Sequence, residues 1–147
     1  MKKNILGIDF GTVRIGLAIS DLLGITAQGM ETLKYTDDRQ VIEHIREIVT
    51  ERAIGEIVMG LPLNMNGTKG PAAERCEAFG EQLQKAVGVP VKFWDERLTS
   101  VAAEKQMLKF DLSRRKRRKA VDRMAAQILL QSYMDSMESK EAERPET

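Results

Sequence analysis

The chain has 147 residues, of which 42% are hydrophobic, enough for one compact domain and too few for a second of ordinary size. Its single cysteine, Cys76, excludes an internal disulfide, and with the single histidine, His44, it cannot supply an ordinary structural zinc site. No apolar run approaches the roughly 18 to 20 residues of a membrane span, and Asp9 interrupts the first one too early for a secretory signal. We therefore expect a cytoplasmic protein without a membrane partner, in which oxygen ligands hold any metal.

The net charge of +1 hides an uneven distribution along the chain. The last thirteen residues, DSMESKEAERPET, carry a charge of −3, so residues 1–134 carry +4. Much of that positive charge lies in RRKRRK, residues 114–119. We predict a single domain at 1–137 and a disordered acidic tail at 138–147.

The first half of the chain predicts a hairpin, a further strand and a helix. NILGIDF and RIGLAIS have the composition of strands, and because only GTV separates them they should pair as an antiparallel hairpin. GITAQGMETLK predicts a third, weaker strand. Apolar residues at helical spacing then predict a helix over about 38–53, with Asp37 as its N-cap.

The second half alternates strands and helices. EIVMGL predicts a buried strand, residues 71–87 a helix ended by Gly88 and Pro90, and VKFW another strand. Helical patterns follow over about 99–109 and 115–137. An opening hairpin followed by single-helix crossovers predicts an α/β fold with one mixed sheet covered by helices.

Two acids stand at the ends of predicted strands. Asp9 ends the first strand on the same face as Gly7, although an aspartate there can also serve only to begin the turn. Glu96 lies in FWDERLTS, after a strand whose end should face a crevice. A helix cap or an ion pair with Arg97 would explain that second acid equally well.

A third acid, Asp122, lies inside the apolar arc of the last helix, between Leu129 and Ala126 on a wheel of about 100° per residue. Burying an isolated carboxylate costs several kcal/mol unless it is paired, protonated or bound to a cation. Arg118 could pair with it along the helix, which is worth about 0.3 to 0.5 kcal/mol when exposed. Such a pair would not explain why the acid faces the core, so the pattern favours a functional role.

Carboxylates that converge on a crevice are the ligands of hard divalent cations such as Mg²⁺ or Mn²⁺. Two such ions about 4 Å apart can activate a water and stabilise the leaving oxygen of a phosphodiester. This chemistry needs no histidine or cysteine nucleophile, and the chain has only one residue of each type.

Two further segments suit phosphate. The loop 64–70 joins a buried strand to the start of a helix, where free N–H groups and the helix dipole favour anions, although such loops are commonly glycine-rich. The run 114–119 could be only a solvated helix face, but it directly precedes Asp122. The candidate nucleic-acid-binding residues are Arg14, Asn64, Gly67, Lys69, Arg97, Arg114, Arg115, Lys116, Arg117, Arg118 and Lys119.

Four segments in this order, GIDFGTVRIGLAISD, GLPLNMNGTKG, DERLTS and VDRMAAQILLQ, resemble the YqgF family of Holliday-junction-resolvase-like proteins in the ribonuclease H superfamily. The resemblance covers the chain except its acidic tail. It implies a ribonuclease H-like fold, a five-stranded mixed sheet flanked by helices, and a catalytic site in which Asp9, Glu96 and Asp122 hold metal, which we expect to be two Mg²⁺ or Mn²⁺ ions. It also implies maturation of the 5′ end of the precursor of small-subunit ribosomal RNA, or else cleavage of four-way DNA junctions.

Two other functions remain open from the sequence. GIDFGT also resembles the first phosphate loop of actin-like and sugar-kinase-like ATP-binding domains, but those proteins bind nucleotide between two such domains. A nucleic-acid-binding ribosome-assembly factor without catalysis, acting on a ribosomal precursor particle, is the second alternative. The sequence does not distinguish RNA from DNA as substrate, or a monomer from a homodimer.

Overall fold

The computed structural model describes the backbone of residues 3–98 and 115–143 and the side chains of residues 3–98 and 124–138. Within these residues, six strands lie in chain order as β1 (Asn4–Phe10), β2 (Arg14–Ser20), β3 (Ala27–Gly29), β4 (Leu33–Lys34), β5 (Ile54–Leu61) and β6 (Val91–Asp95). The helices are α1 (Asp38–Glu51), α2 (Pro71–Val87) and α3 (Arg115–Glu143), and a single 3₁₀ turn, Glu96–Leu98, follows β6.

The strands form one mixed sheet in the order β3-β2-β1-β5-β6, and β4 also pairs with β2. The predicted antiparallel hairpin is confirmed, and β1, β5 and β6 are parallel. The predicted third strand is instead two short strands, because pairing with β2 moves from Ala18↔Gly29 to Ile15↔Leu33. That step covers three residues on β2 and four on its partner, so one extra residue interrupts the ladder.

The ends of α1 and α2 follow their predicted signals. The Asp37 carboxylate accepts a hydrogen bond from the backbone N–H of Gln40 at 2.9 Å, which caps α1. Helix α2 ends at Gly88, whose φ of 73° is left-handed and favours glycine. Its N–H donates to the carbonyl of Gln84 at 3.0 Å.

Helix α3 extends to Glu143 rather than ending near Met137, since the sequence contains no helix breaker before Pro145. The predicted helix over 99–109 lies outside the described residues, and the division into a domain at 1–137 and a tail at 138–147 stays a prediction.

Within the described residues, no helix combines the length and the apolar character needed to cross a membrane.

The two faces of the sheet are covered differently. Large side chains of β1, including Leu6 and Ile8, pack with Phe79 and Leu83 of α2 on one face. The opposite face is lined by small residues and packs against α3. A Cβ added at Gly7 would lie 2.9 Å from the Cβ of Leu130. Glycine therefore sets how closely α3 approaches the sheet.

Contacts along β1 also fix the direction of α3. Leu130 and Ala126 lie over Gly7, whereas the Tyr133 hydroxyl donates to Oε1 of Glu56 at 3.0 Å, and Glu56 is the β5 partner of Ile5. Residue numbers along α3 therefore decrease in the direction in which those along β1 increase. The helix runs antiparallel to the strand. The amino-terminal half of α3 is therefore directed towards the end of β1 that contains Asp9.

The contact at Gly7 generates a stability prediction. Gly7→Ala should lower the free energy of unfolding by about 1 to 3 kcal/mol, because the new methyl group meets a packed helix that cannot move freely. The measurement is urea unfolding followed by circular dichroism.

The matched control is Gly55→Ala, also in a strand, whose added Cβ would lie 2.6 Å from the Cβ of Lys3. Lys3 is exposed and lies outside β1, so it can shift without disturbing packed residues and the cost should be smaller. Equal costs for the two variants would contradict the role assigned to Gly7.

Candidate active site

Two acids are buried at the carboxyl ends of strands. Asp9, near the end of β1, is 4% exposed, and Glu96, the first residue after β6, is 8% exposed. Carboxylates are rarely buried to this degree unless they are paired or bind a cation. Both acids lie at the carboxyl ends of parallel strands, where sites gather in open sheets, which makes them candidates for function.

The two acids face the same side of the sheet. Side chains alternate along a strand, so Asp9 shares the α3 face with Gly7. On β5, Val58 packs in the cluster with Leu130, and Gly60 lies two residues further on the same face. A Cβ at Gly60 would lie 2.7 Å from the Oε1 atom of Glu96.

The Glu96 carboxylate thus lies over β5, the strand between its own and that of Asp9. Gly60 is one position beyond the last paired residues of β1 and β5, Ile8 and Met59, and so is level with Asp9. Adjacent strands are about 4.8 Å apart, so the two carboxylates share one crevice. The absent side chain at Gly60 provides the space in which Glu96 lies.

The third expected acid, Asp122, belongs to α3, but its side chain lies outside the described residues. Convergence of three carboxylates therefore stays a prediction. Among the described side chains, no group of three His, Cys, Asp or Glu residues could hold a metal ion. The donor set of Asp9 and Glu96, two buried carboxylates beside Gly60, does fit an oxygen-liganded divalent cation.

Asp95 and Arg97, on either side of Glu96, are paired with each other. The Arg97 Nη2 donates to Asp95 Oδ2 at 2.7 Å, and Nε donates to both carboxylate oxygens at 3.1 Å. These hydrogen bonds hold the pKa of Asp95 below its usual value, and the same pairing raises the pKa of Arg97. The ion pair considered for Arg97 therefore forms with Asp95 and braces the turn that contains Glu96.

The loop 64–70 uses much of its polar capacity internally. The N–H of Gly67 donates to the carbonyl of Asn64 at 2.8 Å, and the N–H of Asn64 donates to the carbonyl of Thr68 at 2.9 Å. The amide of Asn64 also donates to the Thr68 hydroxyl at 3.0 Å. Lys69 forms an ion pair with Glu77 of α2 at 3.0 Å.

Of the remaining candidates for nucleic-acid binding, Arg14 lies beside the end of β1. Arg14 begins β2, three residues after the hairpin turn starts, and is partly buried opposite Lys34. Residues 115–119 form the start of α3, while Arg114 and the side chains of the whole basic run lie outside the described residues.

Sequence reasoning did not single out Gly60. The available signal was its place at the end of a buried strand, two residues after Val58 on the face that packs against the last helix. A glycine in a strand often marks a close approach by another group. The identity of that group, the Glu96 side chain, depends on the pairing of β5 with β6.

A mixed sheet of this order, with two buried carboxylates at the carboxyl ends of parallel strands and a long helix across that face, defines an α/β protein of the ribonuclease H-like class. The chain belongs to the RuvX family, whose model, described as Holliday junction resolvase, matches residues 3–136. The predicted YqgF-type membership is therefore confirmed, and with it the expectation of a nuclease.

Relatives and one solved structure agree with this membership. A protein of Clostridium beijerinckii named "Putative pre-16S rRNA nuclease" is 50% identical over 136 residues, covering 92% of this chain and 99% of that protein. One of Clostridioides difficile with the same name is 48% identical over 131 residues, covering 89% and 93%. Thermus thermophilus RuvC, solved with a Holliday junction substrate, superposes with a TM-score of 0.58 at 14% identity, covering 94% of this chain and 97% of RuvC. That likeness confirms the predicted ribonuclease H-like fold.

The position of Gly60 generates a prediction about activity. Gly60→Ala should displace Glu96, because the new methyl group would lie 2.7 Å from its Oε1 and 3.1 Å from its Cγ. We expect nuclease activity to fall by about a hundredfold, the scale of loss from a misplacement of about 1 Å. Single-turnover cleavage measures this change, and thermal unfolding should show that the fold is retained. Wild-type activity in a folded Gly60→Ala protein would show that Glu96 does not act from this position.

Proposed function

We propose that the protein is a metal-dependent nuclease that hydrolyses phosphodiester bonds to mature the 5′ end of pre-16S ribosomal RNA in the cytoplasm. The observation that supports it best is the crevice at Gly60, in which buried Asp9 and Glu96 share the α3 face of the sheet. The names of relatives with 48% and 50% identity supply the candidate substrate, and the family match covers residues 3–136. A ribosomal precursor particle is the corresponding candidate partner.

Asp9, Glu96 and Asp122 are the proposed ligands of two Mg²⁺ or Mn²⁺ ions. Helix geometry supports the third ligand, because residue 122 lies just over one turn, about 6 Å along the axis, before Ala126. Ala126 contacts Gly7, and α3 runs antiparallel to β1, so that turn extends towards Asp9. When bound, such cations activate an attacking water and neutralise charge on the reacting phosphate.

The protein's own contribution is rigid placement of these carboxylates. Asp9 lies on β1, which is paired on one side with β2 and on the other with β5, so its backbone has little freedom. Glu96 lies in a turn braced by the Asp95–Arg97 ion pair. Ligands fixed in this way need little reorganisation when substrate binds, which is how preorganised sites lower a barrier. Arg14 and the basic run 114–119 remain the proposed contacts to the nucleic-acid backbone, whereas the other candidates, Asn64, Gly67, Lys69 and Arg97, already bond within the protein.

Cleavage of four-way DNA junctions is the second candidate function, favoured by the description of the family model and by the likeness to RuvC. Because the chemistry of cutting RNA and DNA is the same at the phosphate, only substrate comparison separates the two candidates. Incubation with pre-16S RNA and with a four-way junction, side by side in Mg²⁺ and in Mn²⁺, is the test. Symmetric junction cleavage would also require two active sites, hence a homodimer.

Asp122→Asn tests the metal scheme. The change keeps the shape of the side chain and removes its charge, so cleavage should be lost while the fold and most of the nucleic-acid affinity remain. Cleavage of pre-16S RNA, binding to the same RNA, and thermal unfolding supply the three readouts. Full activity in this variant, or wild-type cleavage that survives exhaustive chelation, would exclude the scheme.

The basic run at the start of α3 generates a prediction about salt. If it binds phosphates, changing Arg115, Lys116, Arg117 and Arg118 to Gln should reduce the dependence of log affinity on log salt by about 0.7 to 0.9 for each phosphate that is no longer neutralised. The effect should be similar across sequences, since phosphates have no base identity. A salt titration of binding measures the slope.

The control removes the same number of charges from the opposite edge of the sheet: Lys3, Arg46, Arg52 and Lys85 changed to Gln. This variant should keep the wild-type slope. If both variants had identical slopes, the run at 115–118 would be only a solvated helix face.

A further inference from the structure

Exposed apolar side chains surround the edge of the sheet that contains the carboxylates. Met65 is 92% exposed, Leu98 67% and Val13 62%. Each lies in the segment that follows the carboxyl end of β5, β6 or β1, the three strands around Asp9 and Glu96. Full burial of such a side chain is worth about 1.5 to 3 kcal/mol, so exposed apolar groups grouped beside a site suggest a contact with a partner.

The loop around Met65 is held by its own hydrogen bonds. The side-chain oxygen of Asn66 accepts the N–H of Thr68 at 3.1 Å and its hydroxyl at 2.6 Å. Gly67 has φ of 85°, a left-handed conformation that glycine adopts without strain, and its N–H closes the turn onto Asn64. The polar side chains are therefore engaged within the loop, and Met65 projects into solvent.

Arg97 connects this loop to the turn that contains Glu96. Its Nη1 donates to the carbonyl oxygen of Met65 at 3.2 Å, while Nε and Nη2 donate to Asp95. The guanidinium also lies against Gly67, where a Cβ would be 3.5 Å from its nitrogens. One side chain thus fixes the position of Met65 relative to the buried acid.

Such a loop offers an apolar surface rather than phosphate ligands. The N–H groups of Asn64 and Gly67 and the amide of Asn64 are already hydrogen-bonded inside it, and Lys69 is paired with Glu77. In a continuous duplex the flat faces of the bases are covered by stacking. An apolar side chain that inserts into a continuous duplex must unstack a base step at a cost of about a few kcal/mol, whereas an open stack exposes a base face without that cost. Methionine is one of the residues that proteins use in this way.

We propose that Met65 packs against the face of an unstacked base at a duplex end or branch point beside the cleaved phosphate, and that Arg97 is the positioning residue that holds it there. The inference rests on the proposed nuclease function and specifies its substrate class: nucleic acid with an interrupted stack. Open-stack substrates should bind more tightly than a continuous duplex of the same length and charge.

The experiment measures binding in EDTA, so that cleavage does not interfere. The probes are a four-way DNA junction and an RNA duplex with a 5′ single-stranded extension, each with 2-aminopurine at the branch or terminal pair, and a continuous duplex of each kind. The variants are Met65→Ala, Met65→Leu and Arg97→Gln. Leu22→Ala is the matched control, since Leu22 is 88% exposed but lies after the carboxyl end of β2, at the opposite edge.

We expect 2-aminopurine fluorescence to rise when wild type, Met65→Leu or Leu22→Ala binds the open-stack probes, because unstacking relieves quenching. Met65→Ala should abolish this signal and weaken binding to those probes about tenfold, the scale of one base-stacking interaction. Its affinity for continuous duplexes and its salt slope should stay at wild-type values, because methionine releases no counterions.

Arg97→Gln separates positioning from phosphate binding. A positioning role predicts loss of the fluorescence signal at an unchanged salt slope, whereas a phosphate contact predicts a slope reduced by about 0.7 to 0.9. The proposal is overturned if Met65→Ala behaves as wild type on open-stack probes, as it would if the loop bound a protein, or if it weakens binding to continuous duplexes equally. Wild-type protein that gives the fluorescence signal but cleaves nothing in Mg²⁺ or Mn²⁺ would overturn the nuclease function and leave the base contact standing.

Discussion

The close approach of α3 to the sheet at Gly7 is the constraint on which the rest of the structure depends. A side chain at that position would collide with Leu130, so glycine lets the helix lie directly on β1. The small residues on this face contrast with the large aliphatic and aromatic groups that separate the opposite face from α1 and α2. The close packing brings the helix that contains Asp122 along the strand that contains Asp9.

The absence of a side chain at a second glycine, Gly60, forms the crevice. Gly60 is level with Asp9 on the neighbouring strand, and Glu96 occupies the space that any other residue at position 60 would fill. Two carboxylates from strands that are not adjacent are thereby brought to one place. Parallel pairing of β1, β5 and β6 is what aligns the three strand ends at a single edge.

Arg97 is a charged residue near the candidate site whose hydrogen bonds stabilise the protein itself. Its guanidinium is shared between Asp95 and the carbonyl of Met65, so it links the turn after β6 to the loop after β5. Charge in a sequence indicates affinity for phosphate in general, but it does not show which groups are already paired. Met65 and Glu96 thus lie on either side of one hydrogen-bonded link.

The sequence alone determined most of the fold, because the signals involved are local. The alternation in NILGIDF, the short connection GTV, the Asp37 cap and the left-handed Gly88 each act over a few residues and predict the hairpin, α1 and the end of α2. The end of α3 at Glu143 and the splitting of the third strand depended on weaker local preferences, and there the predictions differed from the structure.

Prediction of the site depended both on local sequence signals and on tertiary contacts. Asp9 and Glu96 could be selected from the sequence because an acid at the end of a buried strand conflicts with its surroundings. Only the tertiary structure decided that their carboxylates share the crevice at Gly60, that Asp95 pairs with Arg97, and that Met65 is held outward. These relations join residues on different strands and loops, and the physical reason is that strand pairing and side-chain volume, which act between distant parts of the chain, have no local signature in the sequence.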